Sequence, residues 1–480
     1  MSEKNIEFQL PDIPKSSNRI MKLKPLKRDR FSIQCNKNNF LPQLYVILDL
    51  SKDELEIVGK LNYATPGDPS EFRVSKQKNE DSNDVVVSAA SIVQLFLLLT
   101  NPESSLEYQR QYLTTYICYS RSELLLAMLA TRYFIDTNAE GVNVKKEEEK
   151  IQIRNRIIRV IATWINMVPK IFNDELIMGL RMLQESIMNK DVSEEQQSNQ
   201  YKILKSEINK LTGNSVKTVK TKREMPEPIL PKTKEEKWTS IQCFAPEEVA
   251  RQVSLIYSDL FRKIKLDELL QGIWFCNKEG TKNIQELTHC FDVFSGYVTL
   301  SVLLGDTPKA RASTFKFWID VGAEFEKLNN FHGMFAVDCG LLHPAVKRLT
   351  KTMKIVEKTN ATRKANFERM NQICDFGSDY KVYRSVIKKS VEPCVPFIGC
   401  FQKDLIYIQE SYPNKIDGLI NFKKCIDCYK LMKTIQNYQN IGYYFKPIPK
   451  LQQMILGLNE PAETTEIIQL SIKKEKKVTK

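Results

Sequence analysis

The sequence predicts an all-α protein of two helical domains, on three observations. At 480 residues the chain exceeds the size at which one hydrophobic core stops growing, so two packed units plus tails are expected. Two long regions, about 85 to 190 and 246 to 458, repeat apolar residues at helical spacing. Between them lies Met225-Pro-Glu-Pro-Ile-Leu-Pro231, which cannot be regular helix because proline removes donors and clashes with the preceding turn. The 42% hydrophobic and 27% charged residues are ordinary for a globular protein and argue against global disorder.

Taken in order, residues 1–84 form an N-terminal extension that is partly irregular. Its first 40 residues are polar and basic, with several prolines and no sustained period. Leu44 to Leu50 and Leu55 to Leu61 are short apolar runs that suit a small hairpin or a short helix. Residues 85–205 form the first helical domain. There Ile92, Leu95, Phe96 and Leu99 fall on one face, and Ser120 with Glu123 has capping-box spacing ahead of Leu124 to Ala130. Ile153, Ile157, Val160, Ile161, Trp164 and Val168 make a stripe that Pro169 ends. Residues 206–240 lose period and gather lysines, reading as a basic linker. Residues 241–460 form the larger domain, opened by Val249, Val253, Ile256, Leu260 and Ile264, and residues 461–480 a lysine-rich tail. Within the larger domain Gly399 to Glu410 suits one helix, Ser411 to Asn414 breaks it, and Ile416 to about Tyr438 suits a second. On the first arm of this αα-hairpin, Ile406 and Glu410 stand four residues apart and so share a face, one turn apart.

The formal charge of +13 is concentrated in 22–30 (+4), 213–238 (+3) and 471–480 (+4), which leaves only +2 for the remainder. Solvated tails are the first reading of those segments, and peripheral attraction to an anionic membrane is the second. The near-neutral body argues against nucleic acid as a partner. Eleven scattered cysteines, with no apolar run among the first ten residues, suit reduced thiols and a cytoplasmic protein. No stretch reads as a transmembrane helix. Phosphate-binding glycine loops are absent, and Asp375-Phe376-Gly377 lacks the other parts of a kinase, so it reads as a helix end. The three histidines, His289, His332 and His343, belong to no hydrolase motif, and Cys425 with Cys428 reads as a pair of helical thiols. No metal site and no cofactor is expected. These observations describe a helical protein that acts through its surface.

Several ordered motifs name that surface. Glu248 to Ile264, Leu328-Asn-Asn-Phe-His-Gly333, Pro393-Cys-Val-Pro-Phe-Ile-Gly399, Asp404-Leu405, Leu419-Ile-Asn-Phe422 and Gln436-Asn-Tyr-Gln439 together resemble the catalytic domain of Ras guanine-nucleotide exchange factors. Gln109 to Tyr119 and Leu124 to Tyr133 resemble the N-terminal Ras exchanger motif that accompanies it, and the resemblance covers roughly two thirds of the chain. It implies a catalytic domain with a protruding helical hairpin whose Ile406 and Glu410 enter the nucleotide site of a small GTPase. It places Tyr380, Phe397, Asn329 and Asn330 where the second switch of the GTPase docks. The implied partner is a GTPase of the Ras subfamily, of Ras, Rap or Ral type, met in the cytoplasm or at the inner face of the plasma membrane. A GTPase-binding scaffold that keeps the fold and has lost exchange is the alternative. Ser411-Tyr412 and Cys290-Phe291-Asp292 depart from the residues common in the family, which bears on the aim of the hairpin and on a polar contact to the GTPase.

Overall fold

The structure is a computed structural model that describes residues 40–78, 83–187, 194–212, 225–266, 268–270, 279–460 and 462–475. The basic stretch 22–30, residues 213–224 of the linker and 476–480 of the tail lie outside the described residues.

The N-terminal domain runs α1 (Phe40–Ile47), α2 (Lys52–Lys60), β1 (Phe72–Lys78), β2 (Asn83–Ala90), α3 (Ile92–Thr100), α4 (Leu106–Thr115), α5 (Ser122–Tyr133), α6 (Glu147–Met167), α7 (Asp174–Ile187) and α8 (Glu194–Thr212). The apolar runs after residue 40 resolve as two helices. Ser51 caps α2 in a capping box with Glu54, each side chain accepting from the other's backbone N–H. Helical structure does not begin at 85: residues up to Ala90 form a strand, and α3 starts at Ile92 with the Ser91 hydroxyl accepting from the Gln94 N–H at 3.2 Å. Val85, Val86 and Val87 explain the difference, because β-branched side chains are stiff at χ1 and fit a pleated surface better than a helix. The expected capping box at Ser120 does not form either. Helix α5 opens one residue later, and Arg121 at its cap makes no side-chain bond to the helix. The core of this domain is continuous, from Leu44 through Leu125 to Ala130, Ile157, Ile161 and Trp164.

The larger domain holds α9 (Pro246–Lys263), α10 (Lys282–Leu304), α11 (Pro308–Lys327), α12 (Phe331–Leu342), α13 (Pro344–Lys347), α14 (Thr350–Val356), α15 (Ala361–Ile373), α16 (Lys381–Ile387), α17 (Ile398–Ser411), β3 (Lys415–Ile416), β4 (Leu419–Ile420), α18 (Phe422–Asn437), α19 (Pro449–Leu456) and α20 (Thr464–Lys474). By length and composition α10 could cross a membrane, yet its Phe294, Val298, Val302 and Leu303 are buried in this core. It lies so close to α12 that a Cβ on Gly340 would meet Val298 at 2.7 Å, and the Thr299 hydroxyl donates to the Gly340 carbonyl at 2.9 Å. Contact this close explains why glycine stands at 340.

The described parts of the linker and the tail make more internal bonds than their composition suggests. The Ile229 N–H donates to the Glu248 carboxylate at 2.8 Å, which ties the proline-rich stretch onto α9. Residues 464–474 form a helix, and Glu475 behind it is buried. Its carboxylate accepts from Arg311 at 2.8 Å, the Thr352 hydroxyl at 2.6 Å and the Lys351 N–H at 2.8 Å. An acid that satisfies several buried donors at once docks the tail, where a count of lysines suggests solvation.

Candidate functional site

A helical hairpin carries the candidate site. Its first arm, α17, turns Leu405 inward and leaves Ile406 46% exposed and Tyr407 64% exposed. Glu410 is exposed on the turn after Ile406, and its carboxylate accepts no hydrogen bond or ion pair among the described residues. A branched apolar group and an unneutralised carboxylate thus project together from one rigid element.

The second arm differs from expectation in where it starts. Residues 415–420 form a tight two-stranded turn, with Asp417 at φ 49° and Gly418 at φ 81°, and α18 begins only at Phe422. Aspartate and glycine tolerate the left-handed region better than most residues, which lets the chain reverse there. That turn joins a sheet of order β1-β2-β4-β3, in which Ala90 of the N-terminal domain pairs with Ile420. At its edge Arg73 donates to the Asp417 carboxylate at 2.6 Å. Helix α18 is shared between two cores. Phe422, Cys425 and Ile426 lie in the core of the N-terminal domain, whereas Cys428, Met432 and Ile435 lie in that of the larger one. The ring of Tyr108 packs 5.4 Å from Phe422, and Lys433 meets Glu107 at 2.8 Å. The first domain therefore holds the hairpin by strand pairing, by core packing and by charge. The two cysteines are buried helical thiols, and burial pushes the Cys425 thiol up to about 12. Among the described residues no group of three or more metal-ligating side chains comes together.

Beside the hairpin lies a half-open aromatic patch. Phe397 stacks on Phe335 with ring centroids 4.0 Å apart and planes 2° from parallel. Tyr380 packs 6.0 Å from Phe397, and Phe376, 51% exposed, packs 5.7 Å from Tyr380. Phe376 was legible only as the middle of a helix-ending tripeptide; the structure makes it part of the patch. Buried His332 lies beneath, 5.1 Å from Phe291, and burial holds its imidazole down at about 4, so it is neutral at pH 7. His289 makes an exposed pair with Glu460 at 3.3 Å.

Patch and hairpin are tied in register. Arg384 on α16 donates to both oxygens of Asp404 on α17, at 2.7 and 2.6 Å, and to the Asp379 carbonyl at 2.9 Å. Lys403 bonds Asp379 at 2.7 Å and lies over the Tyr380 ring. Tyr380 itself sits at φ 57°, a left-handed position rare for a bulky residue.

The asparagines take a different place from the aromatics. Asn330 is 0% exposed; its amide donates to the Ser254 hydroxyl at 2.8 Å and its carbonyl caps α12 through the Gly333 N–H at 2.9 Å. In the free chain it offers no surface and serves as a bracket inside the fold. Asn329 is half-buried at φ 55°, donates to the Val391 carbonyl at 3.0 Å, and accepts the Val395 N–H on its own carbonyl at 3.0 Å. Asn329 thus holds the segment that delivers Phe397.

The profile of the RasGEF domain matches residues 248–426, and that of the RasGEF N-terminal motif matches residues 86–185. Ras guanine nucleotide exchange factor I of Dictyostelium discoideum is 30% identical over 408 residues, 82% of this chain and 48% of that protein. Factor J of the same organism is 30% identical over 389 residues, 78% of this chain and 47% of its own. Factor A is 28% identical over 394 residues, 80% and 63%. The chain spans about half the length of the first two relatives.

Proposed function

The chain belongs to the Ras guanine-nucleotide exchange factor family, and from that premise we propose that it binds a small GTPase of the Ras subfamily, opens its nucleotide site with the hairpin, and promotes GDP release and GTP loading. The observation that carries this reading is the exposed pair Ile406 and Glu410, held at fixed distance from the Tyr380 and Phe397 patch by the Arg384–Asp404 fork. A scaffold needs the patch and has no use for the exposed pair.

The mechanism follows in charge and packing terms. A nucleotide held at picomolar affinity is bound by about 16 kcal/mol, through backbone and magnesium contacts to its phosphates. The hairpin levers the first switch aside, Ile406 fills the magnesium region with apolar surface, and Glu410 competes with phosphate for the donors that held it. The aromatic patch supplies the docking energy that drives this. Linkage makes the effect reciprocal: what the exchange factor takes from nucleotide affinity, nucleotide takes from its affinity, so incoming GTP releases the factor. Whether the substrate is of Ras, Rap or Ral type is decided by measuring release of fluorescent GDP from purified members of each, with and without the full chain. Acceleration of one class names the substrate. Binding of a nucleotide-free GTPase with no acceleration from any class would move the reading to a scaffold.

The patch has its own test. Phe397→Ala removes a half-buried ring from its stack on Phe335, and should weaken GTPase binding about ten-fold, the equivalent of about 1.4 kcal/mol. The check is titration of nucleotide-free GTPase against the folded variant. Unchanged affinity would remove Phe397 from the docking surface.

A further inference from the structure

The geometry points to Lys424 as the positioning residue of the hairpin: its ammonium fixes the end of α17 and thereby the direction in which Glu410 projects. This inference rests on the exchange reading above and adds to it a residue that sits buried on the other arm.

The last carbonyls of a helix have no partner within it, and a helix that ends in a tight reversal must find donors elsewhere. Lys424, on the first turn of α18 and only 2% exposed, reaches across to them. Its Nζ donates to the Gln409 carbonyl at 3.0 Å, the Tyr412 carbonyl at 2.7 Å and the Asn414 Oδ1 at 2.7 Å. An ammonium carries three N–H donors, and three acceptors surround this one. Gln409 is the residue before Glu410, so the carbonyl that Lys424 holds belongs to the same turn as the carboxylate. Positive charge at this point also meets the negative end of the α17 dipole.

Neighbouring bonds complete the tie. Asn421 caps α18 by accepting the Lys424 N–H at 3.2 Å, donates its amide to the Pro413 carbonyl at 2.9 Å, and gives its own N–H to the Asn414 carbonyl at 3.0 Å. Burial draws the Lys424 amine below its usual value. An apolar side chain of equal length would take this donor away from the Gln409 and Tyr412 carbonyls, and the last turn of α17 would loosen.

The test uses the full chain with Lys424→Met, which keeps the stem and removes the ammonium, and Asn414→Ala, an exposed turn residue whose loss takes away one acceptor without opening the core. Hydrogen exchange of the amides of residues 408–414 should quicken about ten-fold in Lys424→Met and a few-fold in Asn414→Ala, with the α12 amides unchanged. Maximal GDP release should slow about ten-fold in Lys424→Met while the half-saturating GTPase concentration stays within two-fold. In a Glu410→Ala background the same substitution should cost almost nothing further, because the lysine acts through that carboxylate. Unchanged amide protection in Lys424→Met, or losses that simply add in the double variant, would overturn the assignment. Absence of acceleration by the wild-type chain with every GTPase would instead overturn the exchange reading, and the amide protection would then decide alone whether Lys424 sets the hairpin.

Discussion

Glu410→Ala is expected to slow GDP release ~10- to 100-fold at saturating GTPase while leaving the melting curve of the chain unchanged. Stability should not move, because the carboxylate is exposed and makes no internal hydrogen bond or ion pair among the described residues. Release should move because, in the proposed mechanism, the carboxylate takes over donors that had bound phosphate. A hydrogen bond to a charged group is worth ~1.5–3 kcal/mol, and that range sets the factor of ~10 to 100. Glu410→Gln separates charge from shape: it keeps the length and the acceptor oxygen, and should recover only part of the rate. Binding of nucleotide-free GTPase should be nearly intact in both, since the proposed docking surface is the aromatic patch. The measurement is the release rate of fluorescent GDP against exchange-factor concentration, carried to saturation. Release as fast as wild type in Glu410→Ala would remove the carboxylate from the mechanism.

The arms of the hairpin and the pairing of Ile406 with Glu410 were legible in the sequence because helical spacing is local: residues four apart share a face whatever surrounds them. The grip on the hairpin was not legible. Ala90 and Ile420 are 330 positions apart, and no local pattern announces that a two-residue strand will complete a sheet begun in another domain. The same limit applies to α18. The sequence marks it as one helix, whereas the structure divides its buried residues between two cores, Phe422 and Ile426 in one and Met432 and Ile435 in the other. The orientation of Asn330 was hidden for a different reason. Its motif marks the right loop, but a motif cannot say whether a side chain points out to a partner or back to Ser254. Glu475 was hidden among lysines, since its partners Arg311 and Thr352 lie more than 120 residues away.

A further large effect concerns stability. Asp338→Asn should make the chain more stable at pH 8 by up to about 4 kcal/mol and change it little at pH 4. Asp338 lies on α12, 2% exposed, with one carboxyl oxygen lacking a hydrogen-bond partner among the described residues. Burial pushes its acid up from 3.8 to about 7, and Lys347 only partly counters this. The thiols beside it, Cys339 and Cys374, are themselves raised by burial and so are neutral at pH 7, while Asp292 acts on Cys339 with the same sign as Asp338. The sign follows from proton counts. Between pH 4 and 7 the folded chain keeps a proton that the unfolded chain has released, so stability falls as pH rises through that window and is level above it. A shift of about three units at 1.36 kcal/mol each sets the upper bound. Asparagine carries no charge at any pH, so its advantage should grow across the same window. Urea unfolding of both chains at pH 4.5, 6 and 8 tests this, and parallel stability curves would show that the buried acid finds compensation elsewhere. The position also bears on the site: Asp338 follows Phe335 by three residues on α12, so the ring that backs Phe397 and the costly acid share one helix. If the Asn variant gains stability and its exchange rate is unchanged, the proposed docking patch draws nothing from the buried acid; if exchange slows as stability rises, the patch depends on that acid.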